Sequence, residues 1–186
     1  MKKRGPWTTL SEEVVYSSPW IVVNKHDIMD PSGAPGTYSV VHFRSLAVGV
    51  VALDDEMNSW IVGQYRYPIE TYSWEIPEGG SPRDVPPLEG AKRELLEEAG
   101  ITAERWTEVL RMDLSNSASD EHAVLFVARG LTFQPPQPDH DEELVLRKLP
   151  FEELYGMVAR GEVLDSLTVA AVLRVKLMML EGTLPG

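Results

Sequence analysis

Short runs of β-branched and aromatic residues, broken by proline and glycine, open the chain. "SEEVVYSSPWIVVNKHDIMDPSGAPGTYSVVHF" predicts two or three antiparallel strands joined by turns. Such a ribbon is marginal alone and needs something to pack on. "SLAVGVVALDD" and "SWIVGQYRYPI" are strand-like, and the "DDEMN" between them predicts a hairpin. "SWEIPEGG" reads as a short strand entering a glycine-rich loop, which "SPRDVPP" prolongs. The period then changes: Leu88, Ala91, Leu95 and Ala99 recur at helical spacing, Leu96 widens the stripe, and Gly100 stands where a helix stops. "WTEVLRMDL" and "HAVLFVARGL" predict two more strands, and the proline- and acid-rich loop "TFQPPQPDHDEE" leads into another at "LVLRKL". Two helices close the pattern, "PFEELYGMVARGE" with Pro150 near its first turn and "SLTVAAVLRVKLMMLEG" from a Ser166 cap to Gly182. The layout is a mixed sheet with helices against it, of the α+β class.

The helix from Leu88 to Ala99 carries three glutamates in five positions, Glu94, Glu97 and Glu98. Like charges three and four residues apart share a helix face and repel. Glu94 and Glu98 project together, away from the apolar stripe, with Glu97 beside them. Glu89 and Arg93, and Arg93 and Glu97, are spaced for ion pairs that offset part of the repulsion. A bound cation would offset the rest, and carboxylate oxygens without His or Cys select Mg²⁺ or Mn²⁺ over zinc. Upstream, Gly79 and Gly80 let backbone come close to a ligand and expose a carbonyl oxygen to it. An acidic helix face taken singly is usually only solvated. The combination with a glycine pair at fixed distance is what points to a site.

The composition narrows the substrates. The chain has 186 residues, 43% hydrophobic, enough for one domain with a core and an appended element. Seventeen Lys and Arg stand against 29 Asp and Glu, a formal charge of −12. That balance argues against nucleic acid and anionic membrane surfaces as partners, and a polyanionic substrate would need a metal or a local basic patch to bring it in. Cysteine is absent, which excludes disulfides, thiolate metal sites and a cysteine nucleophile. No signal peptide and no apolar run of membrane-spanning length are visible, so a cytoplasmic location is expected.

From Gly79 to Ile101 the chain resembles the Nudix hydrolases, whose motif is Gly, five residues, Glu, seven residues, then Arg-Glu-apolar-any-Glu-Glu-any-Gly-apolar. Arg93, Glu94, Leu95, Glu97, Glu98, Gly100 and Ile101 fill its second half. Val85, next to Asp84, stands where the family has its first Glu. The resemblance implies a Nudix fold, a mixed sheet sandwiched between helices. It also implies metal ligation by Glu94, Glu98 and the carbonyl of Glu78, with Glu97 a ligand or its close support and Arg93 orienting the glutamates. The implied reaction is attack of water on a diphosphate, releasing a nucleoside monophosphate and a sugar phosphate.

"VGQYRYPIETYSWEIPEGG" is similar to the segment ahead of the motif in the ADP-ribose pyrophosphatase and nucleoside diphosphate sugar hydrolase branch, with Gln64, Arg66, Glu75 and Pro77 at matching positions. Arg66 and Glu75 are thereby expected at the substrate, although Arg66 also suits an ordinary strand ion pair. Trp74 and Tyr65 are candidates to stack on a base or to pack in the core. The branch implies that residues 1–44 form an antiparallel β extension shared between two subunits, and residues 45–186 the hydrolase domain. A homodimer follows. ADP-ribose-specific members carry Ser-Pro-Gly where this chain has "LSNSASDE", with Asn116 at the proline. This favours a broader range of nucleoside diphosphate sugars, of ADP-ribose and GDP-mannose type, with Asp120 and Glu121 reaching ribose or metal. By spacing, Glu142 matches the branch's catalytic glutamate, with Glu143 and Asp141 as alternatives. Of the four histidines, His26, His42, His122 and His140, only His140 lies near this proposed site, and none shows ligand spacing. The competing readings keep the fold and change the substrate to dinucleoside polyphosphates, NADH or capped RNA, or make the domain a non-catalytic nucleotide-binding module.

Overall fold

The structure, a computed structural model, describes residues 1–137 and 143–185. The chain divides into two compact units, Met1–Leu46 with Asp113–His122, and Ala47–Met112 with Ala123–Gly186.

In the first unit, four strands follow in order, β1 (Lys2–Arg4), β2 (Trp7–Ser17), β3 (Ile21–Met29) and β4 (Pro35–Phe43). They form one antiparallel sheet in sequential order: β2, β3 and β4 are the three strands the pattern allows, and β1, ahead of that stretch, adds a fourth. The Asp113–His122 segment lies along β4: the N–H of Val41 donates to Ala118 O at 2.8 Å, and that of Asp120 to Val41 O at 3.2 Å. The stretch "LSNSASDE" therefore belongs with the extension rather than with the strands on either side of it in sequence.

The second unit is built on β5 (Ser45–Ala52), β6 (Asn58–Arg66), β7 (Thr71–Glu75), β8 (Glu78–Pro82), β9 (Ile101–Asp113), β10 (His122–Phe133) and β11 (Val145–Pro150), with helices α1 (Pro87–Ala99), α2 (Phe151–Ala159) and α3 (Ser166–Glu181). Two sheets result, in the orders β8-β5-β10-β9 and β11-β6-β7. The expected hairpin between β5 and β6 is absent as a ladder. The chain does reverse there, on Asp54, whose Oδ1 accepts from the N–H groups of Glu56 and Asn58. But β5 pairs in parallel with β10, and β6 pairs with β7 and β11, so only a bridge from Leu53 to Ser59 joins the two arms.

The apolar stripe of α1 does what its period predicts. Ala91, Leu95 and Ala99 are buried with Val48, Val50 and Ala52 of β5 and Val124, Phe126 and Ala128 of β10. Gly100 ends the helix at φ 66°, and an added Cβ there would fall 2.0 Å from Gln134 O. The last helix starts one residue earlier than expected: Asp165, not Ser166, is its cap, its carboxylate accepting from the Thr168 N–H at 2.7 Å.

Candidate active site

Gly79 and Gly80 lie in a strand, β8, rather than in a loop, and α1 packs against that strand. The contact is close because it lacks side chains. A Cβ on Gly90 would lie 2.4 Å from the Ser81 Cβ, and one on Gly79 would lie 2.3 Å from the Glu94 carboxyl. Glycine at 79 thus makes the space in which a glutamate head group sits.

Glu94 and Glu98 are buried, at 8% and 4% exposure, between helix and strand. The sequence pattern places them outside the apolar stripe, and they are so; they are nonetheless covered, because β8 crosses that part of the helix. The Glu78 N–H donates to Glu98 Oε2 at 3.0 Å. Arg93 binds the other two carboxylates, Nη1 donating to Glu97 Oε2 and Nη2 to Glu94 Oε1 and to the Gly80 carbonyl at 2.8 Å. Burial works against its charge, yet Glu94 and Glu97 hold the Arg93 guanidinium above its ordinary pKa. The expected Glu89–Arg93 pair is replaced by Glu89 with Lys92.

A second acidic group adjoins this one. Glu75, 2% exposed, takes the fork of Arg66, with Nε to Oε1 at 2.9 Å and Nη2 to Oε2 at 2.5 Å. The hydrogen bonds to Glu75 raise the Arg66 pKa. Arg66 also lies 3.7 Å from Glu78 Oε1. The Glu78 carboxyl is pushed well above the usual carboxylate range, first by burial and then by the charges of Asp165 and Glu75, and it shares a hydrogen bond with Asp165. Its Oε2 is buried without a hydrogen-bond partner. Two carboxylates about 4 Å apart repel by roughly 4 kcal/mol at an effective dielectric of 20, well beyond a surface helix pair. Among these residues only Arg66 and Arg93 are positive.

The structure thus brings together Glu78, Glu94, Glu97, Glu98 and Arg93, and joins Arg66 and Glu75 to them through Glu78. Val85 is half-buried in the turn after β8. Trp74 is half-buried, packing over Gly63 and edge-on to Tyr72 at 5.6 Å, whereas Tyr65 is exposed. Glu121 belongs to the first compact unit, where burial raises its carboxyl pKa. Glu142, Asp141 and His140 lie outside the described residues, and Glu143 is exposed just before β11. Sequence reasoning missed Asp165 and Thr168: the Thr168 hydroxyl accepts from the Ile76 N–H at 2.9 Å and so ties the end of β7 to α3. The Asp-Ser-Leu-Thr run was readable as a cap; its second partner was not.

The donor set fits a divalent ion of the Mg²⁺ class. It offers carboxylate oxygens, buried and in excess over cations, beside a cradle that any side chain at 79 would fill.

Comparison with known proteins agrees with this geometry. Residues 43–167 match the NUDIX domain, and residues 7–41 match the nucleoside diphosphate sugar hydrolase N-terminal domain. The chain is 34% identical to an ADP-ribose pyrophosphatase of Mycobacterium tuberculosis over 90% of its own length and 82% of the relative's. It is 30% identical to an ADP-ribose pyrophosphatase of Bacillus subtilis, over 88% and 89% of the two chains. The crystal structure of an ADP compounds hydrolase has the same fold, at a TM-score of 0.85 and 22% identity, covering 99% of this chain and all of that one. A motif complete in its second half and a fold that buries its glutamates against the glycine strand place this chain in the Nudix family, as a hydrolase of its pyrophosphatase branch.

Proposed function

We propose that the protein hydrolyses the diphosphate bond of nucleoside diphosphate sugars, ADP-ribose and GDP-mannose among them, with Mg²⁺ or Mn²⁺. The observation that carries this reading is the burial of two helix carboxylates against β8, Glu94 at Gly79 and Glu98 on the Glu78 N–H, an arrangement whose repulsion a divalent ion relieves. Glu94, Glu98, Glu97 and the Glu78 carbonyl hold the ion. When bound, such an ion polarises phosphoryl oxygens and lowers the pKa of water at the site. Arg93 fixes the rotamers of Glu94 and Glu97, and the Glu78 N–H fixes that of Glu98. Arg66, aligned by Glu75, offers an N–H to a substrate phosphate without leaving its partner. Glu121 serves the ribose side, and Glu142 is the general base. Residues 1–44 are a dimer-forming extension of the hydrolase domain at 45–186, and the homodimer works in the cytoplasm.

The names of the two relatives support ADP-ribose, and Asn116 supports a broader range. The test is nucleotide release from ADP-ribose, GDP-mannose, UDP-glucose, diadenosine polyphosphate and NADH, with Mg²⁺ and with EDTA. Metal-dependent cleavage is expected for the nucleoside diphosphate sugars, falling at least ~10²-fold in Glu98→Gln, the loss of about 3 kcal/mol of charge stabilisation. Turnover confined to diadenosine polyphosphate or NADH, or unaffected by EDTA, refutes the proposal.

A further inference from the structure

Three strands of the amino-terminal sheet bring two histidines and a carboxylate onto one face. The register sets Glu12 of β2 across from His26 of β3, and Val22 of β3 across from His42 of β4. Side chains alternate along a strand, so Val22, Asn24 and His26 share a face, and Glu12 and His42 rise from it too. One ligand-capable atom from each of Glu12, His26 and His42 lies within 4.8 Å of the other two. Glu12 Oε1 and His26 Nε2 are 3.5 Å apart.

His26 is 2% exposed, and its Nε2 is buried without a hydrogen-bond partner. An unmatched buried polar atom costs about 1–3 kcal/mol, so a ring held this way wants a ligand. The other two side chains are already oriented. His42 Nδ1 is 2.8 Å from Asp120 Oδ2, and a proton on Nδ1 leaves the Nε2 lone pair for a ligand. Asp120 is itself fixed by the Phe43 N–H at 2.9 Å. Glu12 Oε1 accepts from Asn24 Nδ2 at 2.8 Å. A carboxylate behind a histidine is the usual outer support of a metal ligand.

We propose that Glu12, His26 and His42 bind a transition-metal ion of the zinc class, with Asp120 and Asn24 orienting the ligands and water in the fourth position. Two imidazoles and one carboxylate suit such an ion, whereas the all-oxygen set on α1 suits Mg²⁺. A tetrahedral ion with bonds of 2.0–2.1 Å sets its ligands about 3.4 Å apart. The Glu12–His26 pair already has that spacing, and the ligand atom of the half-buried His42 lies within 4.8 Å of both. The ion would clamp β2, β3 and β4 and, through Asp120, the Asp113–His122 segment.

The test is equilibrium dialysis of the full chain against Zn²⁺ in excess Mg²⁺, with metal analysis, on wild type, Glu94→Gln/Glu98→Gln, His42→Ala and Asp120→Asn. Circular dichroism melts establish that each variant is folded. About one Zn²⁺ per chain is expected, kept in the double glutamate variant, absent in His42→Ala and bound roughly 10–100-fold more weakly in Asp120→Asn. No uptake, uptake that persists in His42→Ala, or uptake that vanishes with the two glutamates overturns the proposal.

Discussion

A methyl group at position 79 has nowhere to go but into the Glu94 carboxyl, 2.3 Å away. Gly79→Ala should therefore cost about 1–3 kcal/mol in stability by overpacking and weaken Mg²⁺ binding as Glu94 is displaced. Calorimetric titration of the variant with Mg²⁺ checks both the affinity and, through the melt, the fold. Glu78 allows a prediction about pH. Its folded pKa lies above the ordinary carboxylate value, so protonation favours the folded state. The stability it contributes is complete below the unfolded value and is lost as pH rises through the folded one. In EDTA, Glu78→Gln should be more stable than wild type at neutral pH, and its urea midpoint should fall less between pH 4 and the alkaline side. An equal fall in both proteins would contradict the assignment of that slope to Glu78.

At the scale of elements, what could be read was what depends on neighbours in sequence. The α1 helix was legible because its stripe, its glycine stop and its glutamates all follow one period. The partners of β5 were not: Asp54 makes the reversal that "DDEMN" announces, but Ala47 to Ala52 pair with Ala123 to Ala128, and nothing in a strand's own composition names a partner so far along the chain. The glycine pair shows the same limit. Its freedom of backbone suggested a loop, whereas its use is to let a helix approach a strand. The hydrogen bond from Ile76 N–H to Thr168 is likewise invisible to periodicity. Thr168→Val keeps the shape, removes the acceptor from a buried N–H, and should destabilise by about 1–3 kcal/mol. Because Ile76 leads directly into β8, the same variant should lose activity beyond what its stability explains, seen as a lower kcat well below the melting temperature.

For the whole molecule, the family and its second motif half were legible because they occupy one continuous stretch, from Gly79 to Ile101. The sites that require two distant segments were not, as Asp165 beside Glu78 and Asp120 beside His42 show. On β2, Val14, Val15 and Tyr16 are each more than half exposed, a run of apolar surface along a long strand. A second copy of the chain would cover it. Light scattering should give twice the 20.8 kDa of one chain, and Tyr16→Glu should shift the mass toward one. The tie between Ile76 and Thr168 also sets a schedule for the growing polypeptide. At roughly 5–20 residues per second, Thr168 leaves the ribosome roughly 4 to 14 s after Glu98. For that interval the acidic helix exists without the brace that aligns β8 beneath it. A nascent chain stalled after β9 carries Glu94, Glu97 and Glu98 and should still hold Mg²⁺ poorly, so metal loading should wait for the last helix.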